Sequence, residues 1–247
     1  MKIYPTFRYQ LRDQRTAILI YYAVLLCLIL VSCIVMLLIP AEAGGIVTTN
    51  GVTAITIFFV FILSLCAFKE SFLANLQHGI SRRSQFLGHL GAMGVVCVIM
   101  AVADEFYLLL LSGLHTVFPN CFGTEESLYE LLYSYDGGHP KGPLFSIIFS
   151  LFALLAVYSL GYLIAVFMYR LHKTGKIIFW VGTPTLFILI SAYLDAHPWI
   201  HGKVLIFILD VLQLCFSRLP QMVLTCTLLT VLFSGIAWLL LRRATIK

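Results

Sequence analysis

Charged residues are scarce in this chain. Asp, Glu, Lys and Arg make up 11% of its 247 residues, whereas 61% are hydrophobic. A soluble domain carries about 25% charged residues, and a chain this apolar could not cover its surface with polar groups in water. The composition therefore predicts a protein whose solvent is largely lipid, and it leaves no room for a soluble domain that works away from the bilayer.

Several sequence signatures of chemistry are missing as well. There is no GxxxxGKS/T phosphate loop, so the chain cannot hydrolyse ATP by itself. No run of Lys and Arg is long enough to follow the phosphates of a nucleic acid, and no CxxC pair occurs. Only Cys121 and Cys215 lie in regions that we place outside the membrane core, and two free thiols are favoured over a disulfide between them. We expect no catalytic residue, no metal site, no cofactor bound by this chain and no nucleic-acid partner.

Six apolar stretches are long enough to cross a bilayer, which takes about 20 residues in a helix. They cover residues 16–39, 52–68, 86–116, 144–169, 177–194 and 221–241, and the third is predicted to be a long helix. A shorter apolar stretch, Val204–Phe216, is interrupted by Asp210 and is predicted to form a re-entrant or interfacial helical hairpin before span six. The predicted fold class is an all-α membrane protein with a single transmembrane domain over residues 1–247.

The distribution of basic residues predicts the topology. If the N-terminus is cytoplasmic, the inner segments hold 13 Lys and Arg residues and the outer segments hold 3. Cytoplasmic loops of membrane proteins carry this excess of positive charge. We therefore predict a multi-pass protein with both termini in the cytoplasm.

The N-terminal segment has its own pattern. Ile3, Phe7 and Leu11 recur at four-residue spacing, with Arg8, Arg12 and Arg15 around them. This spacing predicts a short amphipathic helix that lies on the cytoplasmic leaflet. A disordered basic tail is the alternative.

The segment between spans two and three carries a second amphipathic pattern. Phe68, Phe72 and Leu76 are four residues apart, with polar residues between them. Gly79 is placed to end this helix in the left-handed conformation, and Ser81 can cap the next helix. The pattern predicts a helical elbow that faces the cytosol. It would serve either as a docking surface for a cytosolic partner or as an ordinary interfacial loop helix.

The stretch from Asn75 to Phe86 resembles the Asn-Gly-(Val/Ile)-Ser-Arg region of small bacterial ABC-2-type transporter permeases. The match lies in Gly79-Ile-Ser-Arg82, and the sequence departs by inserting Leu-Gln-His between Asn75 and Gly79. The rest of the chain agrees with that family only in outline. The resemblance implies a bacterial plasma membrane location and a subunit of an exporter, including exporters of the phenol-soluble-modulin type. The cargo would be lipophilic or amphipathic: a peptide, an antibiotic or a lipid.

In that family the elbow is a coupling helix that contacts a separate ATP-binding cassette subunit, which holds ATP and Mg²⁺. By resemblance, Phe72 and Leu73 would fill a groove of that subunit, and charged residues would pair around it. The implied coupling residues are Glu70, Phe72, Leu73, Asn75, Gly79, Ser81, Arg82 and Arg83. A second permease chain would complete the transporter, as a homodimer or a heterodimer.

Three acidic residues interrupt apolar stretches. Asp104 and Glu105 stand about 27 Å into the third helix at 1.5 Å per residue, near the outer boundary of the hydrocarbon layer. Exposure at that interface is expected slightly more than an inward position, from which either residue could bind a cationic substrate or gate the exit. Asp210 in the predicted hairpin has the same two interpretations, and His89 is expected to be a satisfied interfacial histidine.

Three glycines share one face of the third helix, namely Gly88, Gly91 and Gly94. Small residues let helices approach closely in lipid. We expect this face to pack against another span or against the second permease chain.

Two other functions remain open. A non-transporting membrane assembly or immunity protein would need the same spans but no ATPase contact. An intramembrane enzyme would need paired ligands or a nucleophile and a base at one depth within the spans. Ser112 and His115 are three residues apart but lie near the outer edge, and the sequence supplies nothing to orient them.

Overall fold

The computed structural model describes residues 3–38, 51–77, 79–117, 127–133, 142–196 and 198–242. These ranges form helices and contain no strand. The helices are α1 (Ile3–Leu38), α2 (Val52–Gln77), α3 (Arg82–Val117), α4 (Leu128–Tyr133), α5 (Pro143–Arg170), α6 (Lys173–Ala196), α7 (Pro198–Phe216) and α8 (Leu219–Arg242). Within these ranges six helices are long and apolar enough to cross a membrane, namely α1, α2, α3, α5, α6 and α8. The chain is a multi-pass α-helical membrane protein, as predicted.

The bundle has two ends, which we name from their connections. At the turn end, residues 79–81 join α2 to α3, and residues 171–172 join α5 to α6. At the loop end, α2, α5 and α8 begin. The helices α1 and α3 run parallel, because Thr6 lies beside Gly88 near the turn end and the Tyr107 hydroxyl reaches the Leu25 carbonyl near the loop end.

The helix α5 lies at the centre of the bundle and contacts α2, α3 and α8. Its side chains Leu154 and Tyr158 are completely buried against Val60 of α2 and Met100 of α3. By contrast, nearly all side chains of α6 are exposed, and its main described contacts are with α7. The buried core therefore sits in α1, α2, α3, α5 and α8, with α6 at the periphery.

Glycine lets α1 and α3 approach closely. An added Cβ at Gly88 would lie 3.1 Å from Thr6, and one at Gly91 would lie 3.2 Å from the Phe7 ring. A Cβ at Gly94 would meet nothing within 4 Å. The predicted packing face is confirmed for Gly88 and Gly91, and its partner is α1 of the same chain.

The N-terminal segment does not form a helix of its own. Residues 3–15 continue into the first span as one helix of 36 residues. The physical reason is that residues 6–38 contain neither Gly nor Pro, so nothing breaks the backbone hydrogen-bond ladder. Three polar side chains of this segment, Thr6, Gln10 and Gln14, are buried within the bundle.

The stretch predicted to be a hairpin before span six is also one helix. Residues 198–216 form α7 without a break at Asp210. Asp210 is exposed, so its charge places no unpaired group in the interior and leaves the helix intact. An interfacial or re-entrant position of α7 stays a prediction.

A short helix at the loop end was absent from the sequence-based prediction. The helix α4 begins with a capping box, in which the Glu130 amide donates to Ser127 Oγ at 3.1 Å and the Ser127 amide donates to Glu130 Oε2 at 3.2 Å. Tyr129 and Tyr133 pack on Phe149 of α5. Burial raises the pKa of the Tyr133 hydroxyl to about 12. This helix therefore closes the loop end over α5.

Candidate functional site

Asp104 lies inside the bundle, not at its surface. The residue is 2% exposed, although the sequence slightly favoured exposure at the outer interface. Its Oδ1 accepts hydrogen bonds from the Tyr22 hydroxyl of α1 at 2.8 Å and from the Thr56 hydroxyl of α2 at 2.9 Å. The buried carboxyl group therefore joins α1, α2 and α3 near the loop end.

Two further contacts extend this arrangement. The hydroxyls of Tyr21 and Thr56 share a hydrogen bond of 2.7 Å, and the Tyr22 hydroxyl lies 3.1 Å from the Met100 carbonyl. We call the set Tyr21, Tyr22, Thr56 and Asp104 the loop-end polar cluster. Interhelical hydrogen bonds of this kind hold helices together in lipid, where apolar contacts give little net attraction between spans.

The second carboxyl oxygen of Asp104 sets the chemical character of the cluster. Oδ2 is buried and has no hydrogen-bond partner among the described residues. A carboxylate in the hydrocarbon region is costly unless it is paired. The arrangement can therefore accept a proton or a cationic group at Oδ2, while Oδ1 stays bound to Tyr22 and Thr56.

The other two predicted substrate or gate residues lie elsewhere. Glu105 is half-buried, and its carboxyl group interacts with Ser146 at the start of α5. Asp210 is exposed on α7. The structure therefore brings only Asp104 of the three predicted acidic residues into a buried cluster.

A second group of buried polar side chains lies closer to the turn end. Gln14 Nε2 donates to the Tyr158 hydroxyl at 2.6 Å, and the His89 ring stacks on Tyr162 with centroids 3.8 Å apart. His89 is 2% exposed and its Nε2 has no described partner, so the expectation of a satisfied interfacial histidine is wrong. We call Gln14, His89 and Tyr158 the turn-end polar cluster, since the His89 and Tyr158 ring centroids lie 5.6 Å apart. Gln10 and Gln85 are buried one helical turn from Gln14 and His89.

The sequence contained a signal for this second cluster. Thr6, Gln10 and Gln14 are four residues apart, as are Gln85 and His89, so each set shares one helix face. Both faces turn inward, since all five of these side chains are buried. Their inward direction was not predicted, because the apolar pattern alone does not show it.

The connection between α2 and α3 has the predicted backbone geometry. Gly79 has φ +66°, the left-handed conformation that glycine accepts at no steric cost. The Ile80 amide donates to the Asn75 carbonyl at 3.0 Å, which is the outer hydrogen bond of a Schellman motif. The Ser84 amide donates to Ser81 Oγ at 3.3 Å and so caps the start of α3.

The predicted amphipathic elbow helix is not a separate element. Residues 68–77 are the last turns of α2, which runs unbroken from Val52 to Gln77 because this range contains no Gly or Pro. Phe72 is fully buried, and its ring packs on Tyr169 of α5 at 5.2 Å. Its side chain therefore fills the core of this bundle and not the groove of a partner. Asn75 is buried as well.

The remaining predicted coupling residues divide into exposed and anchored positions. Gly79, Ser81 and Arg83 are exposed, and Leu73 is partly exposed. Arg82 is anchored, because its Nη1 donates to the carbonyl of Arg242 at 2.8 Å. The side chain of Glu70 lies outside the described residues.

No family model, curated protein or solved structure matches this chain. The geometry of the two ends and the sequence resemblance around Gly79 are therefore the basis for assigning a function.

Proposed function

We propose that this chain is the transmembrane permease subunit of an ABC exporter in the bacterial plasma membrane. A separate ATP-binding cassette subunit hydrolyses ATP, and the turn between α2 and α3 receives its movement at the cytoplasmic side. The cargo is lipophilic or amphipathic, in keeping with spans that are apolar along most of their length. The observation that carries the proposal is the capped α2–α3 turn, whose outer face is exposed.

The exposed face of this turn carries small and polar residues, one arginine and one leucine. Gln77, Gly79, Ser81 and Arg83 are exposed around the bend, with Leu73 at its edge. Arginine pairs with carboxylates in a bidentate geometry and is common at protein interfaces. We assign the contact with the ATP-binding subunit to these residues, in place of the buried Phe72.

The turn is built to transmit force. The Schellman hydrogen bond from Ile80 to Asn75 fixes the end of α2. The Arg82 side chain joins the start of α3 to the carbonyl of Arg242, the last residue of α8. A displacement of the turn therefore moves α2, α3 and α8 together. A flexible loop would absorb the same displacement.

The loop-end polar cluster supplies a gate in this proposal. Asp104 holds α1, α2 and α3 together through Tyr22 and Thr56. Separation of these helices would break both hydrogen bonds and expose the carboxyl group, which would then face the cargo. A cationic or hydrogen-bond-donating part of the cargo would satisfy Oδ2.

The second permease chain has a surface available to it. Most of the described α6 side chains are exposed, including Phe187 and Leu189. In a membrane such a face contacts either lipid or another helix. We place the second chain, identical or related, against α6 and α7.

We expect a gene beside the one for this chain to encode an ATP-binding cassette protein. The test is co-expression of the two proteins, followed by purification in detergent. We expect a stable complex whose ATPase rate changes when the permease is present. Arg83→Glu combined with Leu73→Asp should abolish the complex. The first substitution replaces a positive charge by a negative one, and the second adds another negative charge at the exposed turn. The control is Arg12→Glu, since Arg12 is exposed on α1 and carries the same positive charge as Arg83.

Two results would count against the proposal. If the complex forms equally well with Arg83→Glu/Leu73→Asp, the turn is not the contact. If the two proteins do not associate and the ATPase rate is unaffected by this chain, the non-transporting assembly or immunity protein becomes the better assignment.

A further inference from the structure

A cavity opens at the turn end between α2, α5 and α6. Its volume is about 850 Å³, within the range of about 300 to 1,000 Å³ that is usual for ligand sites. The rings of Phe167 on α5 and Phe179 on α6 have centroids 6.0 Å apart beside it. Within the turn, Leu171 lies against Gly175 of α6. The cavity is therefore a wedge between two spans, at the point where the chain turns from one into the other.

The wall of the cavity differs in chemistry from its rim. The wall is apolar and comes from the membrane-spanning parts of α2 and α5, including Leu65, Ile164 and Ala165. The rim carries His172, Lys173 and Lys176, all of which are exposed. Among the residues that the structure describes, no acidic side chain lines the cavity. A ligand that fits both parts needs an apolar chain and an anionic head.

The position of the rim matches the surface of a bilayer. Lys173 begins the spanning helix α6, and Trp180 lines the cavity about 10 Å farther along the same helix at 1.5 Å per residue. Tryptophan is enriched at the boundary between headgroups and hydrocarbon, and lysines near helix ends reach toward the headgroups. The basic rim and the apolar wall therefore lie at the depths of a lipid headgroup and of its acyl chains.

We propose that this cavity binds one anionic phospholipid from the leaflet at the turn end. Lys173 and Lys176 hold the phosphate, His172 adds a donor at the same rim, and the acyl chains lie along α2 and α5. Basic pockets between spanning helices are suited to anionic headgroups. The site does not depend on the assignment of the chain as an exporter subunit, because it requires only that the turn end face a leaflet that contains anionic lipid.

The experiment is native mass spectrometry of the purified chain, released from nanodiscs that contain equal amounts of phosphatidylglycerol and phosphatidylcholine. We expect one retained phosphatidylglycerol and little phosphatidylcholine. Lys173→Gln/Lys176→Gln should lower the retained phosphatidylglycerol about thirtyfold, because each lysine near the surface contributes about fivefold. The matched control is Arg8→Gln/Arg12→Gln, which removes the same charge from exposed positions near the same end.

A second variant tests the apolar wall separately. Ile164→Trp fills the wall while both lysines remain, so it should also reduce the retained phosphatidylglycerol. Equal loss in the lysine variant and in the arginine control would show attraction by the surface charge alone and would overturn the site. Displacement of the lipid by inorganic phosphate, with no effect of Ile164→Trp, would show a phosphate site and would equally overturn the lipid assignment.

Discussion

The hydroxyl of Tyr22 donates a hydrogen bond of 2.8 Å to Oδ1 of Asp104, across 82 residues of sequence. This contact joins α1 to α3 in the apolar part of the bundle, and Thr56 of α2 donates to the same oxygen. The pairing explains how a carboxyl group can be held inside six spans. Mutation of Asp104 can therefore distinguish the role of its charge from its role in holding the helices together.

Replacement of Tyr22 by Phe should lower the free energy of unfolding by about 1 kcal/mol, because one of the two donors to Asp104 is lost. Asp104→Asn should cost less, since the amide oxygen still accepts from Tyr22 and Thr56. Thermal unfolding in detergent measures both. The control is Tyr4→Phe, because Tyr4 is 70% exposed. Equal effects of the Tyr22 and Tyr4 variants would contradict the role of the cluster.

In the proposed exporter, two Asp104 variants should differ in their rate of transport. Asp104→Asn keeps the fold but removes the charge, so we expect slower export of a cationic amphipathic peptide from proteoliposomes. Asp104→Glu should restore part of the rate. If the Asp104→Asn protein exports the peptide at an unchanged rate, the carboxyl group only holds the helices together and does not act as a gate.

Replacement of Gly161 by Ala should destabilise the bundle by about 2 kcal/mol, because the core at this point has no room for a methyl group. The added Cβ would overlap the Ser64 hydroxyl and lie 2.9 Å from the Phe61 carbonyl. Gly182→Ala is the control, since a Cβ there meets nothing within 4 Å. We expect the control to be neutral or slightly stabilising, because alanine is the better helix former. Similar unfolding temperatures for the two variants would rule out close α2–α5 packing.

Gly79→Ala tests the left-handed turn. The φ of +66° should make alanine cost about 1 to 2 kcal/mol relative to glycine. Gly79→Asn should cost less, because asparagine tolerates this conformation. Gly113→Ala is the control, since Gly113 has open space around it and no positive φ. Circular dichroism during heating gives the comparison, and an order of stability with Ala above Asn at position 79 would refute the cap.

Substitutions of Phe72 and Leu73 should distinguish a residue that packs in the bundle from one that is available to a partner. Phe72→Ala should lower the stability of the isolated chain by about 3 kcal/mol, since it leaves a cavity beside Tyr169. Leu73→Ala should change the stability little, because Leu73 is partly exposed. Thermal unfolding of the chain without its partner distinguishes the two. A stable Phe72→Ala protein would mean that this ring is available to a partner after all.

Local features were predictable from the sequence, whereas features that depend on distant partners were not. Gly79 and Ser81 were placed correctly because the cap depends on residues within one turn of them. The burial of Asp104 could not be read from its own helix, since it depends on Tyr22 and Thr56. The six long apolar helices followed from hydropathy alone, which lipid imposes on any spanning helix.

The error at Phe72 has a physical origin in the amphipathic pattern. An apolar stripe shows that one face of a helix is covered, but not what covers it. Phe72 was assigned to a cytosolic partner, and the structure covers its ring with Tyr169 of α5. The same ambiguity hid Gln10 and Gln14, whose polar stripe was not expected to face inward.

The length of α3 sets the distance between the α2–α3 turn and the loop-end polar cluster. From Arg82 to Asp104 the helix rises about 33 Å without a proline. In the proposed exporter, one continuous helix would therefore link the ATPase contact on one side of the membrane to the buried carboxyl group near the other side.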